Sequence, residues 1–308
     1  EADMRVIFMG TPDFAVPSLC ALADTFEVAL VITRPDAVRG RGKRLEPSPV
    51  KAEAASRGIE VIEANRMTPE VLDAMRAVRA DIICVAAYGC ILPDAVLEMA
   101  PLGCVNVHAS LLPRWRGAAP VQRAILAGDE RAGVSIMQVV SALDAGAYCA
   151  QASCEVGDMT SAELMAKIGE LGANALIESL REIEAGTVTW TEQDESLVTY
   201  AHKIEKAEMK LDPADDALEN ARRVQASSDA APARCAVAGK GARIMRATIC
   251  EDMRPAVGAV EVSHGRVALG CADGAIEVIS VKPDGKREME ASAWAAGLRG
   301  DDIAWERV

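Results

Sequence analysis

Short apolar runs alternate with amphipathic stretches up to about residue 190. The runs Arg5–Met9, Glu27–Thr33, Ile59–Glu63, Asp81–Ala87, Cys104–His108 and Val134–Val140 have strand length and a β-branched bias. The stretches between them carry helix start signals. Ser48 before Pro49, and Thr68 before Pro69, each place a capping side chain ahead of a proline at the first helical position. Thr160 with Glu163 forms a capping box that opens a long helix to about Glu184, closed by Ala185 and Gly186. Strands alternating with helices predict an α/β fold: a doubly wound, mostly parallel, Rossmann-like sheet with helices on both faces and ligands at the carboxyl ends of its strands.

From Thr187 to Glu208 the pattern is polar and mixed, reading as a linker with room for one strand. After Lys210 the period changes. A helix near Ala214–Ala226 precedes the alternating runs Arg243–Ile249, Val257–Val262, Arg266–Gly270 and Ala275–Val281. Turn signals at His264-Gly265, Asp273-Gly274 and Pro283-Asp284-Gly285 separate them, as in a meander that closes into a small β-barrel. The expected organisation is a catalytic domain over 1–189, a linker over 190–208 and a C-terminal domain over 209–308.

Composition narrows the class. With half of its 308 residues hydrophobic and 26% charged, the chain can bury a sizeable core and is not disordered. No apolar run approaches the ~20 residues a membrane span requires, and the N-terminal residues do not read as a signal peptide. The nine cysteines form no CxxC pair, and no histidine stands at metal-ligand spacing. Free thiols, no metal and a reducing cytoplasm are therefore expected. The net charge of −13 argues against broad nucleic-acid binding.

The candidate chemistry lies between Val105 and Gly146. Asn106 and His108 are two apart on a predicted strand, so both side chains leave the same face. Ser110, Leu111, Leu112 and Pro113 follow as a loop, and Asp144 comes after the next predicted strand. A carboxamide, an imidazole and a carboxylate supply an oxyanion donor, a base and an orienting acid, the set needed for acyl transfer to an amine. Gly10, Thr11 and Phe14 occupy the turn after the first strand, at the expected switch point of the sheet beside Ala86, Tyr88 and Gly89. That turn has one glycine rather than the three of a dinucleotide fingerprint. Arg39, Arg41, Lys43 and Arg44, interleaved with Gly40 and Gly42, form the one dense basic run of an acidic chain and suit nucleic-acid phosphate.

These residues resemble a known family. Met9–Phe14, Gly40–Lys43, Pro47–Lys51, Ala87–Gly89 with Ile91, Leu92 and Pro93, Asn106–Pro120 and Leu197–Ala201 are similar to the methionyl-tRNA formyltransferases over essentially the whole length. Asn106, His108, the Ser110–Pro113 loop and Asp144 belong to the wider superfamily of formyltransferases that use 10-formyltetrahydrofolate. The resemblance implies transfer of the formyl group from folate N10 to the α-amino group of methionine on initiator tRNA, with no metal. It implies that Asn106 binds the formyl oxygen, that His108 helps hold that oxyanion or takes the amine proton, and that Asp144 orients His108. Folate would lie along Ala86, Tyr88, Gly89, Ile91, Leu92 and Pro93 and along the Ser110–Pro113 loop. The methionyl side chain would lie near Phe14, and the acceptor stem under the segment centred on Arg41. The C-terminal domain would be an OB-like barrel contacting tRNA, the protein a cytoplasmic monomer.

The chain departs from the family pattern at Ala109, at Ala145 and Ala147 around Asp144, and at Ser227–Pro232. Residues 209–308 hold 14 Lys and Arg against 16 Asp and Glu by count, with Trp294 and Trp305 their only aromatics. A base-stacking platform is therefore not expected, and Arg222, Arg223, Arg234, Lys240, Arg243 and Arg246 are the candidate local cations. A relative that formylates a small amine would need neither the basic run nor the barrel, and a hydrolase or binding module could retain the fold.

Overall fold

A computed structural model describes residues 3–38 and 44–308. In chain order the elements are β1 (Arg5–Gly10), α1 (Val16–Thr25), β2 (Glu27–Thr33), β3 (Ala37–Val38), β4 (Leu45–Glu46), α2 (Pro49–Ser56), β5 (Val61–Glu63), α3 (Pro69–Val78) and β6 (Ile82–Ala86). They continue with α4 (Asp94–Leu97), β7 (Cys104–His108), β8 (Arg116–Gly117), α5 (Pro120–Ala127), β9 (Arg131–Gln138), β10 (Tyr148–Glu155), α6 (Ser161–Ala185) and β11 (Tyr200–Ala201). The C-terminal part adds α7 (Ala217–Ala226), β12 (Arg234–Val237), β13 (Lys240–Cys250), β14 (Val260–Ser263), β15 (Arg266–Gly270), β16 (Ala275–Pro283), β17 (Met289–Glu290), α8 (Ala291–Ala295) and β18 (Trp305–Glu306). The chain falls into two compact units. The first holds the described residues up to Pro120 with Arg131–Glu155 and Met165–Ala201; the second holds Val121–Glu130, Val156–Leu164 and His202–Val308.

The first unit is built on a seven-stranded sheet of order β10-β9-β7-β6-β1-β2-β5. Strands β7, β6, β1, β2 and β5 run parallel, whereas β9 and β10 are antiparallel additions at one edge. The chain steps from β1 towards β5 and then returns to β6, so β1 and β6 flank the point where strand order reverses, as expected for a doubly wound sheet. The strands are nearly continuous apolar runs because helices cover the parallel sheet. Ile7, Met9, Ile32 and Ile83 join Met75 and Tyr88 in one buried cluster.

Close approaches fix particular glycines. A Cβ at Gly10 would stand 2.7 Å from the Ala86 carbonyl oxygen across the β1–β6 pair, and one at Gly172 of α6 would stand 2.8 Å from Val107 Cγ1. The predicted caps form: Ser48 accepts from Lys51 N at 3.0 Å, Thr68 from Val71 N at 3.3 Å, and Thr160 and Glu163 exchange both bonds of their box. The expected strand Val134–Val140 instead spans Arg131–Gln138, since its pairing to β10 begins at Arg131. β10 itself lacked a sequence signal: Tyr-Cys-Ala-Gln-Ala-Ser-Cys-Glu has no β-branched residue, and pairing to β9 defines it.

The second unit carries an antiparallel, barrel-like sheet of order β14-β15-β16-β13-β12-β18, with β17 on β16. Its core gathers Leu211, Val224, Ile244, Leu269, Val278 and Trp294. Trp305 is buried there, and its Nε1 donates to the Gly270 carbonyl at 2.9 Å. β12 and the edge strand β18 are too short for periodicity to reveal. All nine cysteines are free thiols, and among the described residues no helix is long and apolar enough to cross a membrane.

Candidate functional site

β7 sets the geometry. Asn106 pairs in register with Val85 of β6 and Met137 of β9, and His108 with Ser135 of β9. The alternation of the strand turns both side chains to one face. His108 is buried, and its Nε2 lies 2.9 Å from the Trp115 carbonyl oxygen. A carbonyl only accepts, so Nε2 carries the hydrogen and the neutral ring keeps its lone pair on Nδ1. Nδ1 faces Asp144 Oδ2 at 3.8 Å, beyond hydrogen-bond reach but close enough for charge to act. A proton arriving at Nδ1 would therefore create an imidazolium bonded to a carbonyl on one side and facing a carboxylate on the other. Asn106 is half-buried, and its carboxamide makes no hydrogen bond among the described residues. An amide two positions from a base, with its donors uncommitted, is available to an incoming oxygen.

Asp144 is held from several directions. It adopts a left-handed backbone, φ 48°, a conformation that aspartate tolerates better than most residues. Its Oδ2 accepts the Gly117 N–H at 2.8 Å, and its carbonyl accepts from Gln193 Nε2 at 2.7 Å. The same Gln193 nitrogen donates to the Gly146 carbonyl at 2.8 Å. Gly146 admits no side chain, because a Cβ would stand 1.8 Å from the Gln138 carbonyl oxygen. Gln193 Oε1 in turn accepts from the buried Arg116 Nε at 2.9 Å, and Arg116 Nη2 meets Glu195 at 2.8 Å.

The segment Ala86–Pro93 forms a ledge after β6. Ala86 is buried against Gly10; beyond it Ala87, Gly89, Ile91 and Pro93 are exposed, while Tyr88, Cys90 and Leu92 turn inward. Ile91 is 96% exposed, an apolar side chain with no protein surface to cover it. The main-chain N–H groups of Gly89, Cys90 and Ile91 have no hydrogen-bond partner among the described residues. Free backbone donors beside an uncovered apolar side chain fit a flat heterocycle that mixes polar edges with apolar faces. The Tyr88 ring belongs to the core: its hydroxyl donates to the Ala64 carbonyl, and burial pushes its pKa up to about 12. What Tyr88 offers a ligand is main chain.

The remaining predicted residues separate into groups. Thr11 donates to the Tyr88 carbonyl at 3.0 Å and accepts from Arg34 N at 3.3 Å, tying the turn after β1 to the ledge. Phe14 is buried near Gly169 of α6. In the Ser110–Pro113 loop, Ser110 donates to the Arg114 carbonyl at 2.6 Å, and Leu112 is buried with its N–H on Ser135 at 3.1 Å. Leu111 and Pro113 are half-buried, leaving them the accessible part of that loop. Arg39, Arg41 and Lys43 lie outside the described residues.

Most cations singled out in the second unit are engaged with carboxylates. Arg223 meets Asp215, Arg243 meets Asp229 and Arg246 meets Glu163, each at 2.6 Å, and Arg234 meets Asp284 at 2.8 Å. Arg222 lies against Gly128, where a Cβ would stand 2.1 Å from its Nη2. Sequence reasoning missed Gln193 and Gly117 as partners of Asp144, and Arg116 as the partner of Gln193. Only the nearness of Gln193 to the Leu197–Ala201 motif could have drawn attention to it.

The chain is similar to known proteins over nearly its whole length. The family described as formyl transferase matches residues 4–180, and that described as formyl transferase, C-terminal domain, matches residues 203–299. The methionyl-tRNA formyltransferase of Methylococcus capsulatus is 44% identical over 292 residues, covering 94% of this chain and 95% of its own. That of Xanthomonas axonopodis pv. citri is 44% identical over 301 residues, covering 96% and 98%. Among solved structures, HypX from Aquifex aeolicus in complex with tetrahydrofolic acid aligns with a TM-score of 0.66 at 17% identity, covering 98% of this chain and 51% of that one. The sugar 3N-formyl transferase WlaRD aligns with a TM-score of 0.65 at 14% identity, covering 93% and 100%. These two show the shared fold, and the sequence relatives show the lineage: the chain belongs to the methionyl-tRNA formyltransferase family.

Proposed function

We propose that this protein transfers the formyl group of 10-formyltetrahydrofolate to the α-amino group of methionyl initiator tRNA, the step that prepares the charged tRNA for translation initiation. The observation that carries the reading is the uncommitted Asn106 carboxamide beside a His108 whose Nδ1 lone pair faces Asp144 at 3.8 Å. The donor supplies an activated formyl group on N10. Asn106 donates to the formyl oxygen as the α-amine bonds the formyl carbon, His108 accepts the amine proton at Nδ1 with Asp144 stabilising the imidazolium, and the C–N10 bond then breaks as that proton passes to N10, releasing tetrahydrofolate. The ledge from Ala86 to Pro93, with Leu111 and Pro113, holds the folate. Thr11 and Phe14 border the methionyl side chain, and Arg39, Arg41 and Lys43 hold the acceptor stem.

Residues 1–189 serve as the catalytic domain and 209–308 as the tRNA-contacting domain, joined by 190–208. The protein works as a cytoplasmic monomer, without metal. The direct test is formyl transfer from 10-formyltetrahydrofolate to purified charged initiator tRNA, run beside uncharged tRNA, an amino sugar and glycinamide ribonucleotide. Transfer to charged tRNA alone supports the reading. Transfer to a small amine at equal or greater efficiency refutes it.

A further inference from the structure

The linker approaches the site along two hydrogen-bonded branches. Gln193 is 8% exposed, and its amide bridges the carbonyls of Asp144 and Gly146, at 2.7 and 2.8 Å, while its oxygen rests on Arg116. Thr199 Oγ1 accepts the Trp115 N–H at 2.9 Å, and the Trp115 carbonyl accepts His108 Nε2–H at 2.9 Å. Both contacted residues have left-handed backbones, Asp144 at φ 48° and Trp115 at φ 62°. Non-glycine residues stay in that region only when their surroundings hold them there.

We infer that Gln193 and Thr199 are positioning residues: the linker fixes the Asp144 carboxylate and the His108 ring from behind, so the catalytic apparatus extends into it. This rests on the roles given above to His108 and Asp144. A filler side chain would meet the packing need at 193 equally well. Two donors aimed at two carbonyls of one turn instead set that turn's shape, and with it the approach of Asp144 Oδ2 to His108 Nδ1. Thr199 acts at one remove: its hydroxyl holds the Trp115 N–H, and its carbonyl accepts the N–H of Arg116, in the peptide whose carbonyl selects the His108 tautomer.

The test combines Gln193→Leu, Gln193→Glu, Thr199→Val and Thr199→Ser in the full-length protein, with the Gln193 changes repeated on an Asp144→Asn background. Gln193→Leu removes every polar contact at nearly constant volume. Gln193→Glu keeps the oxygen on Arg116 and loses both donors, which preserves a fold-competent comparison if the leucine variant is unstable. Displacing a catalytic group by a fraction of an ångström to an ångström costs about 10- to 100-fold in turnover. Both Gln193 variants should therefore lose about that much kcat while the KM values for donor and charged tRNA change less than about threefold. On the Asp144→Asn background the further loss should fall below about twofold, because the residue acted through Asp144. Thr199→Val should lose kcat several-fold and Thr199→Ser should regain it.

Equal losses on both backgrounds, unchanged kcat in the Gln193 variants, or serine no better than valine at 199 would overturn the inference. If Asp144→Asn alone left kcat intact, the catalytic roles themselves would fall and the inference with them. A slow Asp144→Asn beside an unimpaired Gln193→Leu would overturn the positioning role only.

Discussion

Replacing Asn106 by alanine separates chemistry from stability more cleanly than any other change at the site. The side chain is half-buried and its amide has no partner among the described residues, so truncation orphans no protein group. The stability cost should therefore stay within about 0.5–1 kcal/mol, as for other changes away from packed or bonded features. A single oxyanion donor contributes about 3 kcal/mol in the transition state, which at about 1.36 kcal/mol per decade corresponds to a loss of about 100- to 200-fold in turnover. His108→Ala provides the contrast. It leaves the Trp115 carbonyl without its donor, costing about 1–3 kcal/mol, and empties the volume of a buried ring. That variant should lose at least about 100-fold in turnover and also melt earlier. The assay follows labelled formyl appearing on charged initiator tRNA under single-turnover and steady-state conditions, with thermal melts of each variant. Asn106→Ala turnover within about fivefold of the parent would refute the assignment. So would a loss expressed wholly as a higher KM for the donor, since that is the signature of uniform binding.

Arg41→Ala should weaken use of charged tRNA while slow, tRNA-independent hydrolysis of the donor persists; equal loss of both would point to the folate site or to folding instead. Affinity for charged initiator tRNA should fall with salt by only a small power, because each phosphate contact adds ~0.7–0.9 to the slope and Arg223, Arg234, Arg243 and Arg246 are each paired with a carboxylate. A slope implying eight or more phosphate contacts, by titration across salt concentrations, would contradict this. Alkaline stability should decline from about pH 9. Burial raises Cys104 and Cys235 to about 12 and Cys271 to about 11 from an ordinary 9.0, so the unfolded chain releases these protons first. Their contribution is intact below pH 9 and is lost as pH rises through the folded values; urea midpoints should show the decline, with a shallower slope in Cys104→Ala.

The parallel strands were legible because their apolar runs are long and the helices between them begin with capping side chains. β7 was legible for another reason: Asn106 and His108 interrupt an apolar run at a spacing that only a shared face explains. β10 was not, because its small and polar residues are held by pairing rather than by propensity. Nor could the sequence foresee that Tyr88 turns its ring into the core, which the inward–outward alternation from Ala87 to Pro93 decides. The cations of the second unit read as a cluster for the same reason that they are not one. Arg234 finds Asp284 fifty positions away and Arg243 finds Asp229 fourteen away, and no local pattern announces such partners.

The pairing of β11 with β8 has a practical consequence for anyone cutting this protein. Tyr200 and Ala201 lie in parallel register with Arg116 and Gly117, and the Ala201 carbonyl receives the N–H groups of Ala118 and Ala119. A fragment ended where the long helix closes would shed this strand, and with it the backing of the loop that bears Trp115. A self-sufficient N-terminal piece should therefore run past Ala201. A protease nick near residue 190 should leave two fragments that remain associated, with the second still supplying the strand.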